Sequence, residues 1–312
     1  MLPTPPLPTH GRYDYAAWRG RTPYAWPKGG KLAVYLGVNL EHFAFGEGLG
    51  AELAPGANSG GGPQPDILNF AWRDYGNRVG AWRLLETLDE LALPATLLLN
   101  SAMYDYAPDL VAAHRTRGDE MAGHGRTNSE RQSVLPEAEE AKLIADSTAA
   151  ILAAEGKAPR GWLSPWIAES RTTPDLLAEA GYRYTMNWCA DDAPVWMRTR
   201  GGPLLAMPYP QEVNDIPAIV GRKDGGDAFA AMILDDFHER LRQVRDGLPQ
   251  VMGIALHPYI IGQPHRMRHL RRALSEIAQH RDQVWITTAG AIFDHVASLP
   301  PGIVPGDPRV AA

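Results

Sequence analysis

From residue 31 to about residue 300, apolar runs of strand length alternate with amphipathic stretches of helix length, and no linker breaks the series. This alternation is the strongest constraint on the fold. Parallel strands cannot be joined by tight turns, and a helical crossover is the usual connection between them. The first run, Lys31 to Val38, has the length and residue types of a buried strand. It ends in the polar cluster Asn39-Leu40-Glu41-His42, and similar clusters recur at Gly123-His124-Gly125-Arg126-Thr127-Asn128 and Leu256-His257-Pro258. In α/β proteins the residues just beyond the C-terminal ends of parallel strands converge on one mouth. One carboxylate and several imidazoles at such a mouth suggest hydrolysis.

The periodicity predicts strands over 32–39, 95–100, 119–124, 160–165, 182–188, 204–208, 250–257 and 283–288. Helices are expected over 76–91, where Val79, Trp82, Leu85, Leu88 and Leu91 recur at helical spacing, and over 107–117, 135–154, 173–180, 226–246 and 265–280. Seven or eight βα units in a single run imply an α/β fold, a closed or nearly closed barrel of parallel strands. A doubly wound open sheet is the alternative, but no Gly-rich phosphate loop follows the first strand, which argues against a nucleotide site. Residues 1–30, rich in Pro, Gly and aromatics, read as an extended arm on the domain surface. Residues 31–300 then form one domain and 301–312 a tail. The Gly- and Pro-rich loop 46–65 is long enough to be functional rather than a simple connector.

Composition narrows the partners. The formal charge is -6, with 45% hydrophobic and 21% charged residues, so nucleic-acid and anionic-membrane partners are not expected. The basic stretch His265 to Arg272 reads as a solvated helix face. No charged n-region precedes an apolar run at the N-terminus and no run approaches a membrane span, so a cytoplasmic protein is expected. Cys189 is the single cysteine. It excludes an intramolecular disulfide, and following a Trp in what reads as a buried strand it is expected to be structural.

Glu41, at the end of a buried strand, suits a general base on water, the alternative being an ion-paired or capping role. His42 and His124 could share a metal such as zinc, with Asn128 a poor third ligand, or a strand-end His could simply hydrogen-bond substrate. His257 suits a general acid toward a departing nitrogen if its pKa lies near neutrality. The Gly262 and Pro264 punctuation suggests a shaped loop over the site, from which His265 or Arg266 could bind substrate oxygen. Trp162, Trp166, Trp188 and Trp196 could wall a pocket for a flat or cyclic substrate, or serve as core. Asp191 and Asp192 could orient a catalytic His or cap the next element.

These residues resemble the motifs of the polysaccharide deacetylase family over roughly 32–290. The family's aromatic- or aliphatic-Asp-Asp motif falls on Leu40-Glu41-His42, so Glu41 takes the place of the base and His42 that of a metal-binding Asp. Its His-Ser/Thr-x-x-His motif falls on His124 to Asn128, without the second His. Its Gly-aromatic-Arg-Pro-Pro-aromatic motif falls on Gly161 to Trp166, without the Arg, and its Leu-x-His motif falls near Ile254 to His257. The resemblance implies a distorted (β/α) barrel and hydrolysis of non-peptide C–N bonds. The Arg-Asp-Tyr-Gly-Asn-Arg run at 73–78 and the His-Pro-x-x-x-Gly-x-Pro-x-Arg run at 257–266 look most similar to the branch containing metal-independent allantoinases and cyclic imide hydrolases. The expectation is a homo-oligomeric enzyme opening a small cyclic amide or imide, with no cofactor or one zinc ion. The alternatives are an N-acetyl-sugar deacetylase and a non-catalytic ligand-binding protein. Glu41 and His257 would be catalytic, while His124, Arg126, Trp166, His265 and Arg266 would contact the substrate or its oxyanion.

Overall fold

The structure is a computed structural model and describes residues 7–47, 66–245, 247–307 and 309–310. Most of the loop expected over 46–65 lies outside them. The chain forms a curled sheet flanked by helices, a distorted (β/α) barrel that is open along one seam. Its strands are β1 (Leu32–Leu40), β2 (Thr96–Leu99), β3 (Glu120–Gly123), β4 (Gly161–Trp162), β5 (Tyr184–Thr185), β6 (Val195–Met197), β7 (Leu204–Ala206), β8 (Gln250–Leu256) and β9 (Trp285–Thr287). The hydrogen-bonded order is β6-β7-β5-β4-β3-β2-β1-β8, with β9 also paired to β1.

All these pairings are parallel except β6 with β7. Eight of the nine described strands thus form the parallel sheet, in line with the seven or eight units expected, and one strand lies outside that pattern. It is β6, a three-residue antiparallel strand that the parallel-unit pattern does not anticipate. β1 is the hub. It pairs with β8 from Leu32 to Val38, and on its other edge with β9 over Ala33 to Tyr35 and β2 over Gly37 to Leu40. All nine of its residues are buried, as expected for a parallel strand covered on both faces.

A third element closes the gap beside β8: Ala255 N–H donates to the Val213 carbonyl and Val251 N–H to that of Asp192. The segment 190–214 thus substitutes for a closing strand.

The helix expected over 76–91 begins earlier. Asp66 caps a helix over Ile67–Tyr75, accepting the Asn69 N–H, and a π-type turn Gly76–Gly80 joins it to the helix Ala81–Glu90. Gly80 is needed at that turn, since a Cβ there would lie 2.1 Å from the Pro258 carbonyl oxygen. The turn therefore packs directly on the loop that follows β8. A helix over Ala289–Ser298, capped by Thr288, completes the chain's core; its apolar face had no place in the periodicity reading.

The described part of the N-terminal arm lies back on its own chain. Arg12 pairs with Asp175, Arg21 with Asp191, and the buried Trp26 indole donates to the Gln250 carbonyl. No helix among the described residues is long and apolar enough to cross a membrane. Cys189 is exposed rather than held in a buried strand, because β5 ends at Thr185.

Candidate active site

Glu41, His124 and His257, from the ends of β1, β3 and β8, meet at the mouth. The Glu41 Oε1 atom lies 3.3 Å from His124 Nε2 and 3.6 Å from His257 Nε2. All three side chains are buried. The other carboxylate oxygen, Oε2, has no hydrogen-bond partner among the described residues. Burial alone would push the Glu41 carboxyl up, but the neighbouring His257 and the hydrogen bond from His124 outweigh it, and the group sits below its usual value. Glu41 is therefore a carboxylate at neutral pH, with one oxygen held and the other free.

His257 is held by a residue that the sequence reading did not single out. Asp215 is fully buried; its Oδ1 accepts from His257 Nδ1 at 2.6 Å and its Oδ2 accepts the His257 backbone N–H at 2.8 Å. The carboxylate fixes Nδ1 as the donor and turns Nε2 toward Glu41. Burial would lower the His257 pKa, but the Asp215 and Glu41 charges reverse this and raise it above the ordinary histidine value. Asp215 lies in Asn214-Asp215-Ile216-Pro217, just past the seam bridge between Asn214 and Ala255. An acidic residue immediately before an Ile-Pro start, beyond the seventh strand, was the available signal.

The aspartates expected to orient His257 do other work. Asp191 pairs with Arg21 of the arm and Asp192 with Arg240.

His124 is fixed from behind, its Nδ1 donating to the Leu163 carbonyl at 2.7 Å. Its strand end is braced by Asn100. The Asn100 amide nitrogen donates to the His124 carbonyl and to Asn128 Oδ1, and its oxygen accepts the His42 backbone N–H at 2.8 Å. From the other side of the mouth, Asn77 donates to the Glu41 carbonyl at 2.7 Å. Arg73, buried beneath this point, stacks over Phe43 with its guanidinium carbon 4.6 Å from the ring centroid. The 73–78 and 257–266 runs thus meet at the mouth, one bracing Glu41 and the other carrying His257.

Several expected contacts are absent. Arg126 is exposed and paired with Glu130 and Glu47, so its guanidinium serves the loop rather than an oxyanion. His265 is exposed at the start of the helix Pro264–Gln279. Arg266 donates to the Ile260 carbonyl, which uses its fork to close the loop after β8. Of the four tryptophans only Trp166 lines the pocket. Trp162 is fully buried, Trp196 nearly so, and Trp188 packs edge-on against His10 and Tyr13 of the arm.

The donor set does not fit a zinc ion. His42 packs its ring on Tyr106, with centroids 4.2 Å apart, and Asn128 has committed its amide oxygen to Asn100. Among the described residues no three His, Cys, Asp or Glu side chains converge as metal ligands.

Above the three residues is a pocket of about 210 Å³. Leu163, Trp166, Ile167, Tyr209, Ile216 and Pro217 form its walls, while Asn39, Gln211 and Asn214 add polar groups. Among the described residues no Lys or Arg lines it. Trp166 and Ile167 both adopt positive φ, 63° and 54°, an unfavourable conformation for a β-branched residue. The turn is tied down by Trp166 Nε1 donating to the Asn128 carbonyl at 2.9 Å. A larger cleft of about 410 Å³ lies in the seam on the far side of Tyr209 and Gln211, away from the Glu41 cluster.

Comparisons with known proteins agree with this fold. Residues 70–185 match the polysaccharide deacetylase family. A Schizosaccharomyces pombe protein provisionally named a polysaccharide deacetylase is 27% identical over 84% of this chain and 89% of its own. A Helicobacter pylori peptidoglycan deacetylase is 22% identical over 78% of this chain and 92% of its own. The crystal structure of the PuuE allantoinase superposes with a TM-score of 0.76 at 25% identity, covering 92% of this chain and 99% of that one. The structure of a probable polysaccharide deacetylase from Pseudomonas aeruginosa PAO1 gives 0.74 at 24% identity, over 86% and 92%.

Proposed function

We propose that this chain, a polysaccharide deacetylase-like hydrolase of carbon–nitrogen bonds, opens a small cyclic amide or imide. The observation that carries the reading is the Asp215–His257–Glu41–His124 array at the floor of a pocket of only about 210 Å³. Drug-sized ligand pockets run from about 300 Å³ upward, so this space suits one small ring rather than a run of sugars. Among the described residues no Lys or Arg lines the pocket, and the His257 charge is already matched by Asp215 and Glu41, which favours a neutral ring. A solved structure of the same fold is that of an allantoinase, which supports a small-molecule substrate.

The chemistry follows from the protonation states. Glu41, ionised and with Oε2 free, takes a proton from water as the water oxygen bonds to the ring carbonyl carbon. The developing oxyanion falls beside His124, whose Nε2 faces Glu41 and donates in the doubly protonated ring, since Nδ1 is already a donor to the Leu163 carbonyl. Donors of this type are worth about 3–4 kcal/mol each. As the C–N bond breaks, His257 passes its Nε2 proton to the departing nitrogen, and Asp215 stabilises the imidazolium until then. The products of an imide are a carboxylic acid and an amide on one open chain. No step in this sequence needs a metal, and the site's donors do not fit one.

The test is hydrolysis of succinimide, hydantoin, allantoin and N-acetylglucosamine oligomers by the purified protein, as isolated and after chelation with zinc add-back. Ring opening that survives chelation is the expected result. Zinc-dependent acetate release with intact rings would replace this reading with sugar deacetylation, and binding without turnover of any compound would favour a ligand-binding protein.

A further inference from the structure

Two residues of the pocket have hydrogen-bonding capacity that the fold leaves unused. Asn39, two residues before Glu41 and therefore on the same side of the β1 line, is 1% exposed. Its Nδ2 donates to the Leu256 carbonyl at 3.3 Å and to Tyr209 Oη at 3.0 Å. A backbone carbonyl only accepts, so the amide cannot be flipped, and Oδ1 is the atom left over. That oxygen is buried without a partner among the described residues.

Tyr209, also buried, accepts from Asn39, and among the described residues no acceptor takes its own phenolic proton. Both side chains line the pocket over Glu41. Tyr209 can approach β1 this closely because Gly37 faces it: a Cβ there would lie 3.2 Å from the Tyr209 ring.

A buried acceptor costs about 1–3 kcal/mol when it goes unmatched, and here an acceptor and a donor sit side by side. We infer that Asn39 and Tyr209 are substrate-recognition residues that read the N–H and the adjacent carbonyl of an imide ring, Asn39 Oδ1 accepting the ring N–H and the Tyr209 hydroxyl donating to the carbonyl that is not attacked. The inference rests on the cyclic-amide reading and narrows it to rings with an unsubstituted nitrogen flanked by two carbonyls. The geometry suits a ring, since a ring fixes N–H and C=O on one edge in the cis arrangement, whereas an acyclic secondary amide is trans. An N-alkylated imide has the same reactive carbonyls but presents a methyl group to Asn39 Oδ1.

The experiment compares kcat/KM for succinimide and N-methylsuccinimide, each divided by its uncatalysed rate, in the wild-type protein. Succinimide is expected to be preferred about 10- to 100-fold, the factor that one unmatched buried acceptor produces. Asn39→Leu should collapse that preference by slowing succinimide more than N-methylsuccinimide, both losing the support that the Asn39 amide gives Tyr209. Tyr209→Phe should slow both compounds alike and leave the ratio standing, because both keep the second carbonyl. Equal corrected rates for the two compounds in the wild type would overturn the inference while leaving ring opening intact. Absence of turnover on both compounds would instead overturn the cyclic-amide reading and this inference with it. The wild-type comparison decides the matter even if Asn39→Leu fails to fold.

Discussion

Replacing Asp215 by Asn isolates what holds His257 in its acidic form. Asp215 accepts two hydrogen bonds from one residue, at 2.6 Å from the ring and 2.8 Å from the backbone. An asparagine in the same place has one acceptor and one donor end. If its oxygen keeps the backbone N–H, its NH₂ faces His257 Nδ1, which must then become an acceptor. The stable form of His257 becomes the neutral imidazole with the proton on Nε2, a far weaker acid than the imidazolium. Hydrogen bonds to charged groups contribute about 1.5–3 kcal/mol, which at about 1.4 kcal/mol per unit lowers the His257 pKa by one to two units.

The sign of the pH effect follows. His257 has a raised pKa in the fold, so its acidic form is present at low pH and is lost as pH rises through that value; activity should fall on the alkaline side. Glu41 has a lowered pKa, so activity should fall on the acid side only below the usual carboxylate range. In Asp215→Asn the alkaline limb of kcat/KM on succinimide should move down by one to two pH units. The maximal rate should drop by up to about 10⁴-fold, the loss seen where such an exchange inverts a catalytic tautomer. Stability should change little, because burial already disfavours the Asp215 charge and the amide removes that penalty. An unshifted alkaline limb with a near-normal rate in Asp215→Asn would refute the assignment of His257 as the acid.

Glu41→Gln should abolish ring opening while circular dichroism and the melting temperature stay near wild type, since glutamine is isosteric and can still meet His124. Gly80→Ala should place a methyl against the Pro258 carbonyl, costing about 1–3 kcal/mol, and should lower both Tm and kcat because the strained loop carries His257. Ile167→Gly should release about 1–2 kcal/mol of left-handed strain, offsetting its lost packing, and should raise the relative kcat/KM for six-membered imides over succinimide; an unchanged ratio would remove Ile167 from the pocket wall.

The three residues at the floor of the mouth were legible because each ends a buried run, and a parallel sheet carries such positions to one place. Glu41, His124 and His257 follow β1, β3 and β8 in this way, although 83 residues separate the first two. The residues that a barrel rule cannot reach are those delivered by irregular backbone. Asp215 comes from the seam beside β8, where the chain replaces a strand with a bridge. Asn39 was visible in the polar cluster, but its role depends on which of its two amide ends the Leu256 carbonyl claims. Arg126 and Arg266 stay out of the pocket for a common reason: long cations near a mouth find carboxylates or free carbonyls close by in the chain, while His265 is exposed at a helix start. The N-terminal helix over 67–75 was missed because the loop before it lacks apolar periodicity and its Asp66 cap is a single residue.

The positions where the chain departs from the sugar-deacetylase motifs bear on whether the site is rebuilt or decayed. His42, at the place of the metal-binding Asp, packs on Tyr106 and passes its backbone N–H to Asn100. Asn128, at the place of the second metal His, is bonded through its side chain to Asn100, through its backbone N–H to His42 and through its carbonyl to Trp166. Ser164, within the motif that lacks its Arg, takes hydrogen bonds from the Trp162 indole and the Asn187 amide. Each replacement is tied into one polar frame that fixes His124 and the Trp166 turn, and none leaves a loose or frustrated group. A site drifting away from catalysis has no reason to keep Glu41 ionised against full burial, because a buried carboxylate without work to do is stabilised by replacement with an apolar residue. Here two imidazoles, and an Asp215 that serves no other partner, are spent on holding that charge in place, which is the arrangement expected of a working base and acid.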